Sequence, residues 1–342
     1  MTKITWLRKN LFNTWYNSLL TILSLIFLFW VTKGILTWAI TQAQWQVIQV
    51  NLHLFLVGRF PKTLYWRVWI ILAIVTTLSV ITWSVFTGFL ISQKLSKLIT
   101  PWISLVWLLS FPIILWLLGG GFGLESVSTN LWNGLLLTLL MATISIVLSF
   151  PIGVLLALGR TSNLPVVRWF SILYIEIIRG VPLIGLLFLA QFMLPLFLPS
   201  DLRLDRLLRG IAGLVLFSAA YMAENVRGGL QSIPRGQIEA AKALGFNTPL
   251  VVILIILPQA LRAVIPVIFG QFIGLFKDTS LLSLVGLVEL TGIARSILAQ
   301  PQFLGRYAEV YIFIGFIYWV FCYSMSLASR KLEKQLSNNP SS

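Results

Sequence analysis

Acidic and basic groups come close together at only a few places in this 342-residue chain, and each place permits a limited chemistry. Glu176 and Arg179 stand three positions apart, as do Glu224 and Arg227, so on helices each pair shares a face and can form an ion pair. Ionisable groups within apolar segments are costly. Such pairs therefore either tie helices together or flank a route for a solute carrying both signs of charge. A third polar group, Lys277-Asp278-Thr279-Ser280, follows a long apolar run and suits an external gate, a docking surface or a simple helix cap. His53 and Cys322 are each the single residue of their kind, so neither nucleates a metal site and an intrachain disulfide is excluded. Cys322 reads as a small packed hydrophobe. The chain has no phosphate-binding loop of the P-loop type, so it does not bind ATP by that route. It also has no nucleophile–base–acid set, so no catalytic residue is assigned.

The elements that must position these groups are long and apolar. Hydrophobic residues make up 58% of the chain and charged residues only 10%, outside the range of ordinary soluble domains. Eight runs are apolar or nearly so: Leu19–Ile40, Val68–Ile91, Trp102–Leu118, Leu131–Leu158, Ile172–Leu198, Ile211–Ala223, Val251–Phe276 and Ala308–Ala328. Most reach the roughly 20 helical residues needed to cross a hydrocarbon core of about 30 Å. The expected fold is an all-α membrane protein of about eight transmembrane helices. The net charge of +15 sits in alternate loops: Lys3, Arg8 and Lys9; Lys94 and Lys97; Arg160 and Arg168; Arg227, Arg235 and Lys242; Arg330, Lys331 and Lys334. That alternation follows the positive-inside rule with both termini cytoplasmic, so basicity reports topology and not nucleic-acid binding. The segment from Thr41 to Arg67 fits this poorly, because Arg59, Lys62 and Arg67 fall on the outer side. The first apolar run is too long for a signal-peptide core and is read as an uncleaved helix.

The two halves differ. Eleven of the fourteen tryptophans precede residue 119, and the run Gly119-Gly120-Gly121-Phe122-Gly123 then marks a flexible break. This divides the chain into a Trp-rich extension with three helices (1–118), a five-helix core (119–330) and a polar tail (331–342). No internal repeat is evident.

Between two core spans the chain reads Glu239-Ala240-Ala241-Lys242-Ala243-Leu244-Gly245, then nine residues, then Ile255-Ile256-Leu257-Pro258. Every fixed position of the pattern EAA-x3-G-x9-I-x-LP is filled. Local physics makes this a helical hairpin. Ser232 can cap the first helix, Pro234 is tolerated in its first turn, and Gly245 suits the left-handed residue that ends it. Thr248 and Pro249 can begin the next helix. Paired alanines let the first helix lie close in a partner's groove, with Glu239 as a cap or charged contact. A surface helix with alanines chosen for propensity is the competing explanation. Pro258 and Pro266 interrupt the helix that follows, as moving hinges or static kinks.

This pattern, within a polar loop at about 227–250, resembles the cytoplasmic coupling segment of permease subunits in ABC-type importers. Further phrases look like the polar amino-acid uptake branch of that family: Asn133-Gly134 with Thr138, Tyr174-x-Glu176-x-x-Arg179-Gly180-x-Pro182, Ala223-Glu224-x-x-Arg227-Gly228-Gly229, Leu257-Pro258-Gln259-Ala260-Leu261-Arg262, Lys277-Asp278-Thr279-Ser280-Leu281 and Glu289-Leu290-Thr291. The extension is similar to the longer permeases of broad-range L-amino-acid importers. The resemblance implies a five-helix type I ABC importer permease core in a bacterial inner membrane. Its partners would be a cytoplasmic ATPase dimer, a second permease, identical or homologous, and an extracytoplasmic solute-binding protein. ATP and Mg would belong to the ATPase, with no cofactor on this chain and an amino acid as solute. By the same resemblance, Glu239, Ala240, Ala241, Gly245, Ile255, Leu257 and Pro258 would couple to the ATPase. Gly270 departs from the asparagine that often precedes Gln-Phe-Ile in such permeases. Opines or small peptides are alternative solutes. A self-sufficient secondary transporter would instead require inverted repeats.

Overall fold

The computed structural model describes residues 3–87, 93–199, 201 and 203–338. The end of the expected run Val68–Ile91 and tail residues 339–342 lie outside the described residues, as do the side chains of Lys3, Arg8, Lys94 and Lys97. The α-helices in chain order are α1 Lys3–Leu11, α2 Trp15–Thr41, α3 Gln46–Val57, α4 Tyr65–Thr87, α5 Gln93–Gly119, α6 Gly134–Arg160, α7 Pro165–Gly180, α8 Leu183–Phe188, α9 Leu194–Phe197, α10 Arg206–Gln231, α11 Arg235–Ala243, α12 Thr248–Leu250, α13 Leu257–Asp278, α14 Leu290–Leu298 and α15 Tyr307–Asn338. Among the described residues, seven helical stretches are long and apolar enough to cross a membrane, and a bent pair counted as one span makes an eighth, matching the sequence expectation.

That bent pair is Pro165–Gly180 with Leu183–Phe197, turned through 107°. The cause is local. Val181 precedes a proline, whose ring disfavours helical backbone in the residue before it, and Val181 is extended (φ −101°, ψ 135°). Pro182 then opens α8. A π turn at Leu189–Met193 joins α8 to α9, and the Gln191 carbonyl within it accepts a bond from Arg209 Nη1.

Helix α10 is the spine. On α6 its small residues permit close approach: a Cβ at Gly153 would overlap Met222. Leu156, Ala157, Ile175, Ala219, Met222, Val226, Val264 and Ile268 form one apolar core among α6, α7, α10 and α13. A second core, at the opposite end from α11, gathers Phe60, Leu64, Leu117, Trp132, Leu137, Leu207, Ile211 and Leu282. Here the extension meets the transport helices.

The segment from Thr41 to Arg67 is the main difference from the sequence expectation. It contains α3, whose Val47 and Phe55 are buried with Leu290, Ile293, Ile297 of α14 and Val310, Ile314 of α15. Glu309, in the first turn of α15, accepts a bond from the Gln44 backbone N–H at 3.0 Å. Arg67 is only 1% exposed, and its guanidinium donates to the Glu125 carbonyl at 2.8 Å. Burial against protein explains why this basic residue does not obey a rule about solvated loops. By contrast, α2 buries none of its residues within the chain and is apolar all round, the character of a lipid-facing helix. Lys331 near the end of α15 stacks over the Trp83 ring at 4.2 Å, joining the other ends of α15 and α4.

Candidate functional site: a helical hairpin and a charged cluster

The hairpin after α10 is closed by backbone chemistry. Gly245 has φ +86°, its N–H donates to Lys242 O at 2.9 Å, and the Phe246 N–H reaches Ala241 O at 3.2 Å. These two bonds are the Schellman closure, which satisfies the last helical carbonyls and requires a left-handed residue. The caps differ from the sequence expectation. Ser232 ends α10, donating its hydroxyl to Gly229 O at 2.8 Å, and Pro234 occupies the cap position of α11 without a side-chain bond. Asn247, not Thr248, caps α12, its Oδ1 accepting from the Leu250 N–H at 3.1 Å. A short chain between two helices lets the preceding residue supply the cap.

The hairpin has its own small core. Ala241, Val251 and Ile256 are buried there, with Ile233, Ile238, Phe246 and Ile255 against them. Only the Ala241 face of α11 is buried; Glu239, Ala240, Ala243 and Leu244 are exposed, Leu244 at 78%. The unit is thus tied to the start of the next span and leaves a small-residue face uncovered. A π turn at Val251–Ile256 leads into Leu257 and Pro258, and the Gln259 amide donates to Ile255 O at 2.8 Å. Pro266 lies within α13.

The charged residues assemble into one cluster with a different pairing from the i,i+3 expectation. Glu176 pairs with Arg160 at 2.9 Å. Glu224 pairs with Arg227 as expected, but also has Arg160 at 3.6 Å and Arg179 at 3.8 Å. The Arg179 guanidinium stands 5.6 Å from the Tyr221 ring centroid. Glu224 is therefore a hub joining the ends of α6 and α7 to α10. Helix packing carries Arg160 across to Glu176, which spacing along α7 could not reveal. Three guanidiniums face two carboxylates, leaving one positive charge in excess. The cluster can hold a carboxylate or fix helices; it offers no acid–base pair for catalysis.

At the far end of α13, Thr279 is buried and donates to Phe276 O at 2.7 Å. Lys277 is exposed, and the chain continues as a 3-10 turn, Thr279–Val285, that includes Ser280. A Cβ at Gly270 would meet nothing within 4 Å, so the residue leaves open space on α13.

Glu289, in the sequence only one member of a short phrase, is fully buried and organises the segment between the last two spans. Its carboxylate accepts from the Thr291 N–H at 2.8 Å and the Gly292 N–H at 3.0 Å, capping α14. The Tyr318 hydroxyl donates to it at 3.2 Å, and Thr138 accepts the Leu290 N–H at 3.0 Å. Burial pushes the Glu289 carboxyl up to about 7 from 4.5, with the backbone and Tyr318 bonds pulling the other way. A raised folded value means the native state binds the proton more tightly than the unfolded chain. This contribution is therefore full below about 4.5 and is lost as pH rises through about 7. The Glu289→Gln variant is expected to flatten the pH dependence of thermal unfolding across that window. An unchanged pH profile in the variant overturns the assignment.

Eight candidate spans and a hairpin outside the main apolar cores define an all-helical membrane protein of the permease class. Residues 149–338 match the family described as "binding-protein-dependent transport system inner membrane component", and the chain belongs to that family, as a transport subunit. It is 40% identical to the inner membrane amino-acid ABC transporter permease protein YhdY of Escherichia coli K12, covering 98% of this chain and 93% of that one. It is 35% identical to the glutamate/glutamine/aspartate/asparagine transport system permease protein BztC of Rhodobacter capsulatus, covering 98% and 94%. The crystal structure of an amino acid ABC transporter with histidines superposes with a TM-score of 0.53 at 31% identity, over 59% of this chain and 92% of that chain.

Proposed function

We propose that this chain is the permease subunit of an ATP-driven importer for polar or broad-range amino acids, working by alternating access. The observation that carries the coupling role is α11: a Gly-closed helix with its own small core, presenting Ala240, Ala243 and Leu244 with nothing in the chain covering them. A cytoplasmic ATPase dimer would seat this face, and its closure would push the Ala241–Ile256 contact and so the start of the α13 span. ATP and Mg reside on that partner. An extracytoplasmic binding protein delivers solute at the opposite end, and a second permease, identical or homologous, completes the pathway. Both termini are cytoplasmic in this reading. The Lys331–Trp83 contact supports it, because it puts a tail-side cation at the far end of α4 from Leu64 and its core. Glu176, Arg179, Glu224 and Arg227 stabilise the helices beside the pathway or contact passing solute. Lys277, Asp278, Thr279 and Ser280 form the external junction of α13, a gate or docking element. The extension at 1–118 is an accessory unit on the core at 119–330, since the family match begins at residue 149, beyond the extension.

The test is uptake by proteoliposomes holding the permease and its ATPase, with the binding protein outside and ATP within. Labelled glutamate, glutamine and neutral amino acids are expected to accumulate only with all three components. Accumulation driven by an ion gradient without the ATPase, or uptake confined to opines or peptides, overturns the reading.

A further inference from the structure

The turn joining the extension to the core, which its glycines alone would suggest is flexible, belongs neither to the proposed coupling hairpin nor to the charged cluster, and it is braced by backbone and side-chain bonds. Four successive residues have positive φ: Gly120 (79°), Gly121 (92°), Phe122 (47°) and Gly123 (93°). Phe122 is the one non-glycine residue with positive φ among the described residues, and its ring is 100% exposed. A left-handed conformation costs an L-residue on the order of 1–2 kcal/mol, so glycine would be cheaper here too. The chain nevertheless places a large apolar ring there, covered by no other part of the chain.

The support is equally specific. Gly121 and Leu124 exchange backbone bonds at 3.0 and 3.1 Å, and Val127 N–H donates to Gly119 O at 2.9 Å. The Trp116 indole donates to Gly121 O at 2.8 Å, and the buried Arg67 holds Glu125 O at 2.8 Å. A Cβ at Gly120 would overlap that same carbonyl, so the base of the turn is closed tightly. Beyond the turn, Val127 and Trp132 are buried with Leu207 and Leu287, so the loop is fastened to the transport core as well as to α4 and α5.

We infer that this turn is a rigid docking finger for the extracytoplasmic solute-binding protein, with Phe122 as the ring that enters an apolar pocket on that partner. The inference rests on the importer reading and its orientation. A ring meant for lipid gains nothing from a fixed backbone, and exposed Trp66 and Trp69 of α4 already provide interfacial aromatics. A fixed ring suits a specific protein pocket, because pre-organisation lowers the entropy lost on docking and aromatic anchors dominate such interfaces. The family of this chain is described as binding-protein-dependent, and in the proposed orientation this end faces that partner.

The experiment uses the permease–ATPase complex in nanodiscs, titrated with the purified solute-binding protein that supports uptake in the proteoliposome assay. Phe122→Ala and Phe122→Ser are expected to raise the half-saturating concentration for ATPase stimulation about tenfold or more, with the maximal rate unchanged, while Phe122→Trp stays near wild type. A bimane label at Phe122→Cys, in a Cys322→Ser background, is expected to be shielded only when the binding protein is present. Half-saturation within about twofold of wild type in both small variants overturns the finger. So does bimane quenching by nitroxide lipids that the binding protein leaves unchanged, which marks a membrane anchor. A wild-type complex that the binding protein does not stimulate, or a label reached only from the ATPase side, defeats the importer reading or its orientation instead, and the finger falls with it.

Discussion

A Gly245→Val permease is expected to assemble in the membrane but no longer to pass the stroke of the proposed ATPase partner to its spans. The position is open, with nothing within 4 Å of an added Cβ, so the defect is one of backbone alone. At φ +86° a β-branched residue is strained by on the order of 1–2 kcal/mol. Relief comes only by abandoning the bonds from Gly245 and Phe246 to Lys242 and Ala241. With those bonds gone, α11 loses its direction relative to the Ala241–Val251–Ile256 contact. Solute-stimulated ATP hydrolysis in the reconstituted complex should fall about tenfold or more. Gly245→Asn should retain much of it, since asparagine tolerates the left-handed region better than other non-glycine residues. Normal stimulation in the valine variant would remove the coupling assignment, because the strained closure would then be dispensable.

Glu224→Ala carries the second large effect, this time on stability. Its side chain is 23% exposed and stands among three guanidiniums. Deleting it leaves Arg160, Arg179 and Arg227 converging on an empty site across three helices. Removing the shared partner of this partly buried cluster costs on the order of 2 kcal/mol, between the values for exposed and fully buried pairs. Glu176→Gln should cost far less, since that side chain is 56% exposed and engages one arginine. The measurement is thermal unfolding of the purified permease for both variants. Equal losses would mean that Glu224 is not the hub and that the two carboxylates act independently.

Much of the architecture is legible along the chain because the membrane imposes it residue by residue. Long runs with little or no charge identify the spans, and the Val181-Pro182 step marks the broken one through the restriction a proline places on its predecessor. The Gly245 closure is equally readable, since only a residue tolerant of positive φ can end a helix there. Caps are less so: several of Ser232, Pro234, Asn247 and Thr248 are competent, and the packing of α11 on the next span selects among them.

The charged cluster marks where reading along one helix stops. Spacing shows which groups share a face, but Arg160 reaches Glu176 and Glu224 only because α6, α7 and α10 converge. In the same way Arg67 has the pattern of an outer-loop cation, and only its burial beneath Glu125 removes it from the aqueous boundary.

The sequence by itself determined a helical membrane protein with a glycine-closed hairpin between two spans, because length, hydropathy and backbone restriction are local properties. The permease reading came from motifs that resemble that family. Only the tertiary structure decided that Glu224 is a three-arginine hub, that Glu289 is a buried cap, and that α3 ties the extension to the core. Those features depend on which helix faces meet, and distant helices meet through burial and close packing that no single stretch of sequence encodes.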